Sequence, residues 1–356
     1  MTISVRDMER RIVRYGDLIP CNTAFIDART PGSDKKENFT IIGPGVSENP
    51  GQHVHVKIPH GFNIGGARQP KGCVNSQHSH ETAEVFLVHT GKWAFRWGET
   101  GDDGEVILGP GDVISIPVHV FRGFECVEGE DSFLFAILGG DDPGHVTWAP
   151  YVFEQAAEHG LVLTKAGRLI DTAIGEQLPD GDAPCAPTSA ATAASLRRMT
   201  REEMSACVVS CSELRQAPAQ TSFLSARSVG VEEFPVLGPA NALEKIDAAK
   251  VANPHGFHFR KLVFKPNGVI PSHSRAEEDV VFVHRGAISL HWDAHHLILN
   301  EGDTATIPKA MARCWRNAGT SDTELFVVRG GDTPGGPSWS EESPQHAEIR
   351  QREIAE

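Results

Sequence analysis

His78, His80 and Glu84 lie close together in the stretch GCVNSQHSHETAEVFLVHTG, Gly72 to Gly91. All three occupy even-numbered positions of what reads as a single β-strand. Side chains alternate across a strand, so the three are expected to share a face. Two imidazoles and a carboxylate converging on one point can hold one side of a divalent cation and leave its other positions open. Structural zinc sites are normally closed by four ligands, often Cys, so an open three-ligand set suits a catalytic ion better. Phe86 and Val88 share the same parity and would shape an apolar pocket, whereas Gln77 and His89 have the opposite parity and are expected to face away. His53 and His55 also share a face, but no carboxylate follows at the next same-face positions, so they read as exposed or capping histidines.

The spacing of these residues resembles the first motif of the cupin superfamily: Gly, five residues, His-x-His, three residues, Glu, six residues, Gly. Gly72, His78, His80, Glu84 and Gly91 fill every fixed position. The second cupin motif is matched at Gly111 and Pro117, but His119 stands for its Gly, Arg122 for its His and Cys126 for its Asn. The resemblance implies antiparallel jelly-roll β-barrels and a metal site with an altered fourth position.

The elements that must position such a site follow from the rest of the chain. The 356 residues are enough for two domains, and 35 Gly with 23 Pro suit a turn-rich all-β protein. A formal net charge of −14 argues against nucleic acid and anionic membrane as partners, though not against an acidic substrate in a local basic pocket. No run approaches the length of a membrane helix, the N-terminus lacks a signal-peptide core, and the seven Cys are scattered. A cytoplasmic protein with reduced thiols is expected.

Residues 1–50 read as an N-terminal arm with a short charged helix. Short strands punctuated by turns fill 51–182, with KWAFRWGE placing Trp93, Phe95 and Trp97 on one face as packing residues and a helix expected at Val152–His159. Residues 183–215 read as a linker, poor in large apolar side chains, followed by a helix that begins at Arg201 behind a Thr200–Glu203 capping box. Residues 216–340 repeat the first half. His78, Glu84 and Gly91 recur as His273, Asp279 and Gly286 at one offset of 195; Gly111, Pro117 and Arg122 recur as Gly302, Pro308 and Arg313 at an offset of 191. Two constant offsets separated by one four-residue deletion mark an internal duplication. Residues 341–356 read as a polar tail helix. The fold class expected is all-β: tandem cupin-like jelly-roll barrels, a bicupin, with a few peripheral helices.

The copies differ where chemistry is expected. Arg275 replaces His80 and Asp279 replaces Glu84, and an arginine cannot ligate a cation. An Arg275–Asp279 ion pair is expected to fill the second barrel, leaving it without metal. In the first barrel Arg122 has two readings: it binds a substrate carboxylate bidentately, or it pairs with a structural acid as Arg313 would in the second copy. His119 either supplies a third imidazole or faces the barrel mouth. The leading functional expectation is an Fe(II) dioxygenase acting on a small organic acid, a hydroxylated aromatic acid among the candidates. The first alternative is a redox-silent isomerase, lyase, hydrolase or decarboxylase, and the second a non-enzymatic small-molecule-binding cupin. One divalent metal per chain is expected, Fe(II) first, with Mn, Ni or Zn as alternatives because the same ligands accept several first-row ions. The expected partners are a small anionic substrate and a second copy of the chain, since dimers are common in the superfamily.

Overall fold

The structure, a computed structural model, describes residues 3–340. The expected tail helix at 341–356 lies outside the described residues. The chain divides into two compact units, one holding Gly16–Ala217 with Asn253–Phe257. The other holds Pro218–Ala252 and the chain from His258 on, together with the N-terminal stretch ending at Tyr15.

The first unit is built from two large sheets, mostly antiparallel, and a separate two-stranded pair, Leu161–Leu163 with Leu169–Asp171. In the five-stranded sheet the order is Val146–Trp148, Val74–His80, Arg122–Glu128, Lys92–Trp97, Gly104–Leu108. In the seven-stranded sheet it is Val208–Val209, Val113–Ile116, Glu84–Val88, Ser132–Gly139, Phe62–Gln69, Glu37–Ile42, Val54–Val56. Only the last pair, Glu37–Ile42 with Val54–Val56, is parallel. Each strand turns one row of side chains into the space between the sheets. That core contains Phe86, Val88, Trp93, Phe95, Trp97, Ile114 and Phe124, so the aromatic row of KWAFRW packs as its alternation predicts.

Residues expected as arm and linker are part of this architecture. Glu37–Ile42 pairs with Phe62–Gln69 and so belongs to the barrel. The alanine-rich stretch forms a helix at Ala190–Ser195 with Ala193 in a second apolar cluster beside Trp148 and Val152. The capping box at Thr200 and Glu203 is formed, and a second one at Ser210 and Glu213 starts the helix Cys211–Gln216. Trp97 Nε1 donates to Met199 O at 2.9 Å, and Val208–Val209 adds a strand beside Val113–Ile116. Only Ala193 of that helix is buried, so a stretch with few large apolar side chains reads as a linker from composition alone.

The second unit repeats the plan in one ten-stranded sheet that curls around its core, with Phe257–Ser274 as the long central strand. Residues before Tyr15 are stitched into it. Met8 is fully buried there, Ile12–Val13 pairs with Thr304–Ala305, and Tyr15 N donates to Asp303 Oδ1 at 3.0 Å.

Candidate metal centre

His78 and His80 end the strand Val74–His80, and Glu84 begins Glu84–Val88 in the other sheet. The three therefore do not share one strand. The chain turns at Glu81–Ala83 and crosses between sheets, and Glu84 meets the two imidazoles from the facing wall. Their ligand atoms lie within 4.8 Å of one another and all three residues are buried. Among the described residues this is the only such group of three.

Each donor is held for a reason. His78 Nδ1 lies 2.7 Å from Ser76 O, so it carries the proton and leaves Nε2 with a free lone pair. Trp148 packs on the His78 ring at 5.1 Å. Burial, with the Arg122 cation nearby, pushes the His78 imidazole well below its usual range, which keeps it neutral and able to ligate. His80 Nε2 faces Glu84 Oε2 at 3.6 Å, and its buried Nδ1 has no hydrogen-bond partner.

Arg122 is buried and donates through Nη2 to Glu84 Oε2 at 2.7 Å and through Nη1 to His78 O at 3.3 Å. Its equivalent Arg313 donates to Asp279 and, at 3.4 Å, to His273 O. The shared arginine thus pairs with the acid of its own barrel in both copies, which favours the structural reading of Arg122 over the substrate anchor. His119 is exposed, with a left-handed φ of 59°, and its N–H donates to His80 O at 3.1 Å. Ala310 takes the same place in the second copy, with φ 61° and a bond to Arg275 O at 2.7 Å. The position serves a backbone turn in both barrels, and the His119 side chain lies outside the cavity at the cluster.

That cavity measures about 70 Å³ and has His78, His80 and Glu84 in its wall. Phe86, Phe124 and Trp148 give it an apolar side; Asn38, Thr40, Gln52 and Asn75 give it a polar one. Val88 lies in the core and not in this lining. Asn75 has odd parity relative to His78, yet both line the cavity. A bulge explains this: Arg122 opposes His78 while Phe124 opposes Asn75, so the extra residue resets the alternation.

The second barrel is filled at the same positions. Arg260 stands where Gly65 stands, Leu262 for Ala67, Ile270 for Asn75 and Glu233 for Asn38, each at the 195 offset. The cavity beside His273 and Asp279 shrinks to about 10 Å³, room for a single water. The expected Arg275–Asp279 pair is replaced by a wider network. Arg275 donates to Glu244 and, at 2.9 Å, to Gly335 O; Asp279 takes Arg313 and Arg329. A longer guanidinium reaches past the acid on its own turn to a loop acid, Glu244, that sequence proximity does not suggest.

The two acids at equivalent positions behave in opposite ways. Burial alone would raise Asp279, but Arg313, Arg329 and Arg275 hold its carboxyl well below the usual range. Glu84 has one arginine, and burial pushes it up to about 8. Burial likewise lowers Arg122 to about 9. Glu84 is paired with one arginine where Asp279 is paired with two. A buried set of two imidazoles and one carboxylate held by a single arginine, with no hydrogen bond to Glu84 Oε1 among the described residues, fits a divalent first-row cation.

Comparison with known proteins bears on the fold. The cupin domain model matches residues 260–329, inside the second unit. Among solved structures, the formate complex of Lactobacillus farciminis oxalate decarboxylase aligns at a TM-score of 0.55 and 10% identity over 100% of this chain and 94% of that one. A Bacillus subtilis oxalate decarboxylase variant aligns at 0.53 and 13%, over 91% and 78%. The chain has the bicupin fold. The B. subtilis enzyme at pH 4.6 gives the same picture, 0.52 and 12% over 97% and 83%. No curated protein matches the sequence. It is the second barrel of this bicupin that carries the family match, although the first keeps the motif's ligands. No described helix is long and apolar enough to cross a membrane, and all seven Cys are free thiols.

Proposed function

We propose that this bicupin is a metal-dependent enzyme whose first barrel acts on a small carboxylic acid by redox-silent chemistry, with decarboxylation as the favoured reaction. The observation that carries the reading is the cavity: about 70 Å³, with His78, His80 and Glu84 in its wall. A cavity of about 70 Å³ beside the three donors has room for an acid of a few heavy atoms. The fold shared with oxalate decarboxylases supports the same class.

His78 Nε2, a ring nitrogen of His80 and Glu84 would hold the cation; Mn or Fe(II) suits this donor set. When bound it supplies Lewis acidity and two positive charges toward a carboxylate. Arg122 holds Glu84 Oε2 and so orients the carboxylate. Phe86, Phe124 and Trp148 exclude water and favour release of an uncharged product such as carbon dioxide. With Glu84 and Arg122 cancelling, a divalent ion leaves two positive charges to be met by an anionic substrate.

Fe(II) dioxygenation stands as the second reading, because three protein ligands leave open positions for both substrate and O₂. The test is elemental analysis of protein purified without added metal, beside His78→Ala, followed by assays of small acids with and without oxygen. About one metal per chain, absent from the variant, with carbon dioxide release that persists anaerobically, is expected. Turnover that requires O₂ would move the reading to dioxygenation, and no metal after reconstitution would end both.

A further inference from the structure

We infer that Asn38 reads the far end of the substrate: a neutral amide, in place of a guanidinium, receives a carboxylate oxygen in the slot that Gly65 leaves open. This rests on the reading of the first barrel as a metal site for a small acid.

Asn38 is 6% exposed and lines the cavity. Its backbone is engaged with Cys21, but its buried Nδ2 has no partner, and no hydrogen bond holds Oδ1 among the described residues. Whichever way the amide turns, a donor is left over. Buried polar groups without partners are uncommon and destabilising, so one in a cavity wall points to a ligand. Donor and acceptor are both left over; the buried Nδ2 donor fits an acceptor atom of a ligand.

The duplication gives an independent view of the same position. Asn38 opposes Ala67 as Glu233 opposes Leu262, and Gly65 opposes Thr40 as Arg260 opposes Pro235. In the second barrel Arg260 Nη1 donates to Glu233 Oε1 at 3.0 Å, so the slot is filled by a planar fork bound to the residue at this register position. In the first barrel the acid is an amide and the arginine a glycine. The slot is emptied, and the residue at this register position has changed from an acceptor-only carboxylate to an amide that can also donate. A planar acceptor group, a carboxylate, is the complement.

Among the described residues the cavity lining holds no lysine or arginine, and the nearby buried cations are engaged elsewhere. Arg122 is committed to Glu84, and the buried Lys36 to Asp27. An anion with one end at the metal and a second carboxylate at Asn38 meets both the charge and the unpartnered donor.

The experiment is calorimetric titration of the full chain, reconstituted with Mn(II), against oxalate and against formate, with metal content measured for each protein. Asn38→Ala should weaken oxalate about tenfold, the loss of one hydrogen bond to a charged group. Asn38→Asp, which sets a carboxylate against a carboxylate, should weaken it further. Formate, which ends at the metal, should bind all three proteins alike, and metal content should not change. Oxalate affinity within twofold of the parent in Asn38→Ala overturns the assignment. So does equal weakening of oxalate and formate, the mark of a structural role, or a metal-loaded parent that binds no oxalate. A parent that takes up no metal overturns the underlying metal-site reading itself, and is told apart by the metal content alone.

Discussion

Replacing Arg122 with Met tests whether Glu84 depends on its single arginine. The side chains of Arg122 and Glu84 are 2% and 8% exposed and meet at 2.7 Å. Removing one partner of a buried pair leaves the other uncompensated, at a cost of about 3–5 kcal/mol. Met keeps much of the apolar stem, so little of the loss comes from packing. Arg313→Met is the internal control, since it loses the same kind of bond to a histidine carbonyl, His273 O in place of His78 O. Asp279, however, keeps Arg329 at 2.8 Å, so a smaller loss of about 2 kcal/mol is expected there. The assay is urea unfolding of chelator-treated protein, repeated with Mn(II) in excess. Metal should recover much of the Arg122→Met loss, because the cation replaces the guanidinium at Glu84, and none of the Arg313→Met loss. Equal losses for the two variants without metal, or no recovery with it, would refute the charge argument. The Glu84→Gln/Arg122→Met double variant should be more stable than Arg122→Met alone, which double-mutant analysis of the same curves measures.

Other outcomes follow from the same contacts. Glu48 accepts from Trp148 Nε1 at 2.6 Å and Ile26 N at 2.7 Å, and burial raises its carboxyl from 4.5 to about 7. A raised carboxyl binds its proton more tightly folded than unfolded, so stability should fall as pH rises from 4.5 to about 7, by about 3 kcal/mol. Glu48→Gln should flatten that slope in urea midpoints taken across the window. Asn38→Leu removes an unpartnered buried amide and should stabilise the apoprotein by about 1 kcal/mol, read from its melting temperature. Gly65→Arg with Asn38→Glu rebuilds the second barrel's filling in the first. A Cβ at Gly65 meets Phe39 O at 3.3 Å, a small adjustment, so the variant should fold, keep its metal and lose oxalate binding.

Features that depend on local pattern and repetition were legible along the chain before any folding. The His-x-His pair, the aromatic row Trp93, Phe95 and Trp97, and the capping box at Thr200 need only strand alternation or helix-end chemistry. The duplication was legible because two constant offsets survive the divergence of the two copies. Tertiary structure decided everything that depends on which sheet a residue joins and how far its side chain reaches. Glu84 reaches the histidines from the facing sheet because the chain turns at Glu81–Ala83, and strand parity carries no record of that turn. Arg275 bonds Glu244 and not Asp279, since the loop acid is brought near only by folding. Asn38 sits in a stretch that composition assigns to an arm; its role comes from pairing with Phe62–Gln69 beside a glycine, and from an amide that the folded chain leaves without a partner. Local spacing fixes which way a side chain points along its own strand, while the contents of a cavity are set by strands distant in sequence.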